Sequence, residues 1–189
     1  MKKNYSNSSA VNTLSKKRDK LISRFLNEDE LLFHELYSDL LDDYFRESFE
    51  KSFVGPDLNI TKNPYAIIAL GGYGRREQCI FSDVDVLFLF EKKVPEKAED
   101  LIKEMAYPLW DIGLEVGHST RNIKECVNLS KTDISVLTSL LDARFICGIS
   151  NVYWALVEQI RCRAINRRSG RIIKQLLKLN EKRHENFGD

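Results

Sequence analysis

Two hydrophobic rhythms alternate along this chain. From Leu14 to Phe53 the apolar residues fall at helical spacing, first Leu21, Ile22 and Phe25, then Leu31, Leu32, Leu36, Leu40, Leu41, Tyr44, Phe45 and Phe49. This spacing predicts two amphipathic helices, with Asn27 as a candidate N-cap of the second. Val54 to Pro64, carrying Gly55, Pro56, Asn59 and Asn63, reads as a loop. Tyr65 to Leu70 (Tyr-Ala-Ile-Ile-Ala-Leu) then predicts a buried strand running into Gly71-Gly72 and a short polar, helix-competent stretch. A second strand begins at Asp83-Val84-Asp85 and continues through Val86-Leu87-Phe88-Leu89-Phe90, apolar on both faces as in a sheet interior. Pro95 opens a helix toward Ile112 that Gly113 stops, with a kink or break expected near Tyr107 because of Pro108. Leu114 to Arg121 predicts a third strand, and from Asp133 onward the pattern predicts helices only, over 133–147, 150–165 and 168–186.

This order of elements suits an α+β fold, a small mixed sheet with packed helices and a carboxy-terminal helical annex. It divides the chain into an Asn/Ser-rich tail over 1–12, expected to be disordered, amino-terminal helices over 13–56, a core over 57–130 and the annex over 131–189. With 189 residues and 43% hydrophobic content, one sizeable core can be buried. The net charge of +1 gives no global attraction to nucleic acid or membrane. Cys79, Cys126, Cys147 and Cys162 are scattered without ligand spacing, which points to reduced thiols and away from zinc. Behind Met1-Lys2-Lys3 there is no apolar run, and no transmembrane stretch follows, so a cytoplasmic protein is expected.

The carboxy-terminal basic residues Arg161, Arg163, Arg167, Arg168, Arg171, Lys174, Lys178, Lys182 and Arg183 read as a solvated helix face, with Ile165, Ile172, Ile173, Leu176, Leu177 and Leu179 as the buried side. Aromatic residues do not interleave with these charges, which argues against a nucleic-acid partner.

Candidate chemistry concentrates in residues 70–90. Side chains alternate along a strand, so Asp83 and Asp85 share one face and Val84 points away. At ~6 Å and an effective dielectric of about 20 the pair repels by roughly 3 kcal/mol, and a divalent cation is the usual counter-charge. The glycines just upstream let backbone approach phosphates closely, with Arg75 or Arg76 nearby for charge. Gly-x-x-x-x-Gly-Lys-Ser/Thr is absent, and Gly72-Tyr-Gly74-Arg-Arg-Glu77 lacks the third glycine of the dinucleotide fingerprint. Glu115, between Leu114 and Val116, is a candidate third carboxylate, and His118 lies on the opposite face by alternation. Asp111 reads as a local cap or ion-pair partner. Asp142 and Arg144, two apart on an expected helix, cannot face one another.

Leu70-Gly71-Gly72 followed by Asp83-Val84-Asp85-Val86 resembles the signature of the polymerase-beta nucleotidyltransferase superfamily. Gly71-Gly72-Tyr73-Gly74-Arg75, Ser82-Asp83, Leu109 through Ser119, Leu140-Leu141-Asp142-Ala143-Arg144, and Arg183-His184 with Gly188-Asp189 extend the likeness over 60–189, to the amino-terminal region of bacterial protein-PII uridylyltransferases. Arg76 stands where that family usually has glycine, and Cys79-Ile80 replace a small residue and proline. The resemblance implies a polymerase-beta-type nucleotidyltransferase fold and a magnesium-dependent transfer of UMP from UTP to a tyrosine hydroxyl of a PII-type signalling protein in nitrogen regulation. Asp83, Asp85 and Glu115 would be the catalytic and metal-binding residues, around two Mg2+ ions about 3.5–4 Å apart. Gly71 and Gly72 would seat the triphosphate, Ser82 would position the loop and Arg75 would offset phosphate charge. The alternatives are an adenylyl- or RNA-nucleotidyltransferase on the same scaffold, or a non-catalytic nucleotide- or partner-binding module. The ending Phe187-Gly188-Asp189, in mid-motif by the family's pattern, suggests a truncated chain.

Overall fold

A computed structural model describes residues 8–28, 30–166 and 168–187, with the side chains of 9–28, 30–166 and 168–181. In chain order the elements are α1 (Ser8–Glu28), α2 (Phe33–Glu50), the single turn α3 (Gly55–Leu58), β1 (Tyr65–Ala69), the single turn α4 (Gly71–Gly74), β2 (Val84–Phe90), α5 (Ala98–Asp111), β3 (Val116–Asn122), α6 (Ile123–Thr132), α7 (Ile134–Leu141), β4 (Arg144–Gly148), α8 (Ser150–Gln159), a π-helical turn (Ile160–Ile165) and α9 (Ser169–Phe187). The strands form one mixed sheet in the order β3-β2-β1-β4. β1 pairs antiparallel with both β2 and β4, and β2 pairs parallel with β3.

Because β1 and β2 are the interior strands, both of their faces must be covered, and their near-continuous apolar runs meet that demand. Tyr65, Ile67 and Ala69 with Val84, Val86, Phe88 and Phe90 point to one face, where they pack with buried residues of α1, α2 and α5 such as Leu14, Leu41, Phe45 and Met105. Ala66, Ile68 and Leu70 with Leu87 and Leu89 point to the other, against Cys126 and Val127 of α6, Leu137 and Leu140 of α7, and Val152 and Leu156 of α8. Each such side chain contributes about 1.5–3 kcal/mol when fully buried. The alternation that sorts these residues also decides where the aspartates at the head of β2 project.

Several sequence expectations are corrected. Arg144–Gly148, placed in a helix, is the edge strand β4: Ile68 opposes Phe145 and Ala69 opposes Arg144, giving β1 its second antiparallel neighbour. Helix α1 begins at Ser8, inside the stretch expected to be disordered, while 1–7 lie outside the described residues. Asn27 does not cap α2; it lies within α1 with its Nδ2 donating to the Ser23 carbonyl at 2.7 Å, and α2 has Leu32 at its N-cap position. Helix α5 runs to Asp111 without a break at Pro108, and Gly113 follows it at φ +77°. On α9 Ile172 is buried and Leu176 partly so, as is Ile165 at the end of the π-helical turn, but Ile173, Leu177 and Leu179 are exposed rather than buried. The ends of the family-like motif at Gly188-Asp189 lie outside the described residues. Among the described residues no helix is long and apolar enough to cross a membrane.

Candidate active site

The glycine turn and the aspartates meet because β1 and β2 are antiparallel, which brings the end of one beside the start of the other. The Leu70 amide donates to the Asp85 carbonyl at 2.9 Å, joining the two segments directly. Gly71 adopts φ +53°, a left-handed conformation that glycine tolerates, and α4 follows at once. The first hydrogen bond of this turn runs from the Gly74 amide to the Leu70 carbonyl at 2.9 Å, so the Gly71, Gly72 and Tyr73 amides precede it.

Asp85 is exposed at the head of β2, although its neighbours Val84 and Val86 are buried. It stands in register with Gly117, and the Val84 amide donates to the Glu115 carbonyl at 2.8 Å, which sets Asp83 opposite Glu115. Parallel register puts Asp85 and Gly117 on one face, the α6–α8 side, while Asp83 and Glu115 precede their strands and Glu115 lines a cavity with Arg18 of α1, Phe81 and Ser82. A Cβ at Gly117 would lie 2.3 Å from Asp85 Oδ1, and one at Gly71 3.4 Å from Asp85 Oδ2. The Asp85 carboxylate thus fills the space between two glycines. Partial desolvation of the carboxylate between the two glycines, and then the charge of Asp83, raise its pKa above the ordinary carboxylate value, although the residue as a whole is exposed. Among the described residues no cation forms a salt bridge with either carboxylate, and a donor set of hard oxygens beside the glycine turn fits a magnesium ion. Among the described residues no three His, Cys, Asp or Glu side chains converge as a ready set of ion ligands. The structure therefore couples Asp83 to Asp85 and leaves Glu115 outside that pair, just ahead of β3.

The loop before Asp83 is held from below. The Ser82 Oγ accepts from the Cys79 amide at 3.2 Å and closes a tight turn, while buried Gln78 donates through Nε2 to the carbonyls of Ser82 (2.9 Å) and Asp83 (3.1 Å). Arg75 spends its donors on Glu77 (2.7 Å) and Asp142 (2.6 Å), so its charge is already partnered, and Glu77, then Asp142, push its guanidinium pKa further up. Arg76 takes φ +63° and pairs with Asp39 of α2 at 2.5 Å, which directs its side chain to α2. His118 stands across from Val86 on the α5 side, its ring centroid 5.9 Å from that of Trp110. Asp111 is exposed. Cys79 is exposed with its Sγ 3.6 Å from His34 Nδ1; burial pushes the Cys126 and Cys147 thiols up to about 12, which leaves them neutral.

A supporting network escaped the sequence reading. Buried Asp42 of α2 accepts two hydrogen bonds from Arg144, at 2.5 and 3.1 Å, and a third from the Tyr73 hydroxyl at 2.7 Å. Arg144 also donates to the carbonyls of Tyr73 and Gly74, both at 3.2 Å. A Cβ on Gly74 would lie 2.1 Å from the Asp142 carbonyl oxygen, so only glycine lets the turn pass under the end of α7. These contacts tie the glycine turn to α2 and β4. Gly74 signals the close approach in the sequence; Asp42 carries no such signal.

The family model described as "Putative nucleotidyltransferase DUF294" matches residues 10–119. The chain belongs to that nucleotidyltransferase family. The match includes the glycine turn, both aspartates, Glu115 and Gly117. A protein of Phenylobacterium zucineum (strain HLK1) named bifunctional uridylyltransferase/uridylyl-removing enzyme is 39% identical over 123 residues, 65% of this chain and 13% of that protein. One of the same name from Ruegeria pomeroyi (strain ATCC 700808 / DSM 15171 / DSS-3) is 36% identical over 124 residues, 66% of this chain and 14% of that protein. The matched region thus spans about one seventh of those relatives' length. The α+β architecture with its four-stranded mixed sheet agrees with a nucleotidyltransferase fold.

Proposed function

We propose that this domain transfers UMP from UTP to a tyrosine hydroxyl of a PII-type signalling protein, with magnesium, as part of nitrogen regulation in the cytoplasm. The observation that carries the transferase reading is the Asp83–Asp85 pair. Among the described residues its carboxylates lie without a counter-charge, and Asp85 packs between Gly71 and Gly117 at the mouth of the turn. Uracil and the PII acceptor draw on the relatives' printed names and on the sequence resemblance.

In this reading Asp83 and Asp85 hold magnesium, which when bound supplies positive charge to the attacking and leaving oxygens of the phosphoryl transfer. The Gly71 and Gly72 amides receive the triphosphate, and the absent side chains let it approach. Ser82 and Gln78 keep the aspartate loop in place. Glu115, just ahead of β3, is proposed to complete the ligand set and favour loss of the acceptor hydroxyl's proton. Arg75 would reach phosphate only by releasing Glu77 or Asp142. Pyrophosphate leaves as the tyrosine oxygen bonds to the α-phosphorus.

The test incubates the chain with a PII-type protein, magnesium and UTP labelled at the α-phosphate. Label is expected on tyrosine with the wild type and absent with Asp83→Asn. Label that persists with Asp83→Asn would remove the aspartates from the chemistry.

A further inference from the structure

A second cavity opens on the same sheet face, beyond Asp85. It has a volume of about 230 Å³, between β3 and α7, and its lining includes Leu70, Ser119, Arg121, Val136, Ser139 and Leu140. Ser119 opposes Leu87 and Arg121 opposes Leu89, so they continue along β3 the line begun by Gly117. At the rise of a strand they follow Gly117 by roughly 7 and 13 Å. Leu70, in its wall, is the residue whose amide binds the Asp85 carbonyl. The cavity therefore starts where the acidic pair ends and runs for about the reach of a sugar and base from an α-phosphate held at Asp85.

Its lining has the make-up of a small-ligand site: apolar walls from Leu70, Val136 and Leu140, and a few polar groups converging on them. Arg121 is partly buried there. The nearby carboxylate of Asp133 accepts its hydrogen bonds from the Ser135 amide and hydroxyl and the Val136 amide, and Arg121 acts on it through charge only. A guanidinium offers donors only, so it matches a base carbonyl and opposes an exocyclic amine. The 4-position of uracil presents a carbonyl, as thymine does, whereas cytosine presents an amine there. The volume lies below the range of roughly 300–1,000 Å³ usual for ligand pockets, which favours a pyrimidine over a purine.

Resting on the transferase reading, we propose that this cavity seats the sugar and base of the nucleotide, and that Arg121 selects uracil by donating to a ring carbonyl. Ser119 and Ser139 supply hydroxyls to the sugar or to the second carbonyl. The selectivity is thereby built into β3 and α7, apart from the carboxylates and the glycine turn.

The test is calorimetric titration of the intact chain with UTP, CTP and ATP in magnesium, and with inorganic tripolyphosphate as a probe of the phosphate cradle alone. The wild type is expected to bind UTP more tightly than CTP or ATP. Arg121→Ala should weaken UTP about tenfold or more, the usual effect of losing a charged hydrogen bond, abolish the preference over CTP and leave tripolyphosphate unchanged. Ser139→Leu, which fills the cavity from α7, should weaken every nucleotide and spare tripolyphosphate, so the test does not depend on Arg121→Ala remaining folded. Wild-type binding of UTP and tripolyphosphate that neither variant alters would overturn the proposal and leave the transferase reading standing. Equal binding of UTP and CTP by the wild type would likewise overturn it. No binding of UTP or tripolyphosphate would defeat both.

Discussion

Asp85 occupies the space that a side chain at Gly117 would need: a Cβ there would stand 2.3 Å from Oδ1. The two residues oppose each other in parallel register, so the glycine sets where the carboxylate can lie. Gly117→Ala must turn that carboxylate aside. Because the atom displaced is the end of a side chain, the fold should tolerate the change, with a melting temperature within a few degrees of wild type. Magnesium-dependent UTP binding, measured by titration, should fall about tenfold or more, and unchanged binding would show that the position of Asp85 does not matter.

The pairing of Asp42 with Arg144 predicts a large effect far from the reacting atoms. Asp42 is buried and Arg144 is the closer of its two counter-charges, so Arg144→Ala leaves a carboxylate in the interior beside Tyr73 with only the half-exposed Arg46, 3.3 Å away, for charge. Removing one partner of such a pair costs about 3 kcal/mol or more. Urea denaturation should show that loss for Arg144→Ala and a smaller one for Arg144→Lys, which keeps the charge but not the two-point geometry. Equal stability of Arg144→Ala and wild type would mean the network does not hold the turn.

Asp85 gives a pH dependence whose sign can be worked out. Its folded pKa is raised, so the protonated form favours the fold, and this stability is lost as pH rises through the folded pKa. Above that range the metal-free protein carries two repelling carboxylates. Asp85→Asn should therefore raise the metal-free melting temperature at neutral pH, and the gain should vanish in acid below the ordinary aspartate range. A drop in melting temperature at neutral pH would assign Asp85 a structural role instead.

Arg76 holds φ +63°, where a Cβ costs energy that glycine avoids, while its guanidinium gains a half-exposed pair with Asp39. Exposed pairs contribute about 0–1 kcal/mol, less than or similar to the cost of the left-handed backbone at roughly 1–2 kcal/mol. Thermal melts should rank Arg76→Gly at or above wild type and Arg76→Ala below it. The reverse order would show that the ion pair outweighs the backbone cost.

Much of this arrangement was legible in the chain itself. Tyr65–Leu70 and the Asp83 strand were readable as strands because uninterrupted apolar runs bounded by glycines and turn residues have few other solutions, and the alternation placing Asp83 and Asp85 together needs only strand geometry. β4 was not readable: Phe145-Ile146-Cys147 is a short apolar run directly after the helical pattern of Leu137, Leu140 and Leu141, and its pairing with β1 is decided by contacts some 80 residues away. The Asp42–Arg144 network was hidden for the same reason. Asn27 misled because a capping residue type is equally able to bond its own helix, here at Ser23. Gly117, inside a strand, was an available sign of a close approach, and it led to the Asp85 carboxylate only once the register with β3 was known.

The central claim is that Asp83 and Asp85 hold divalent cations together with a nucleotide's phosphates in front of the Gly71-Gly72 turn. Electron paramagnetic resonance with Mn2+ in place of magnesium tests it most directly, by counting bound ions with and without UTP. The account predicts Mn2+ bound in the presence of UTP by the wild type and lost in Asp83→Asn and Asp85→Asn, with both variants folded. Equal Mn2+ binding by wild type and both variants would contradict it.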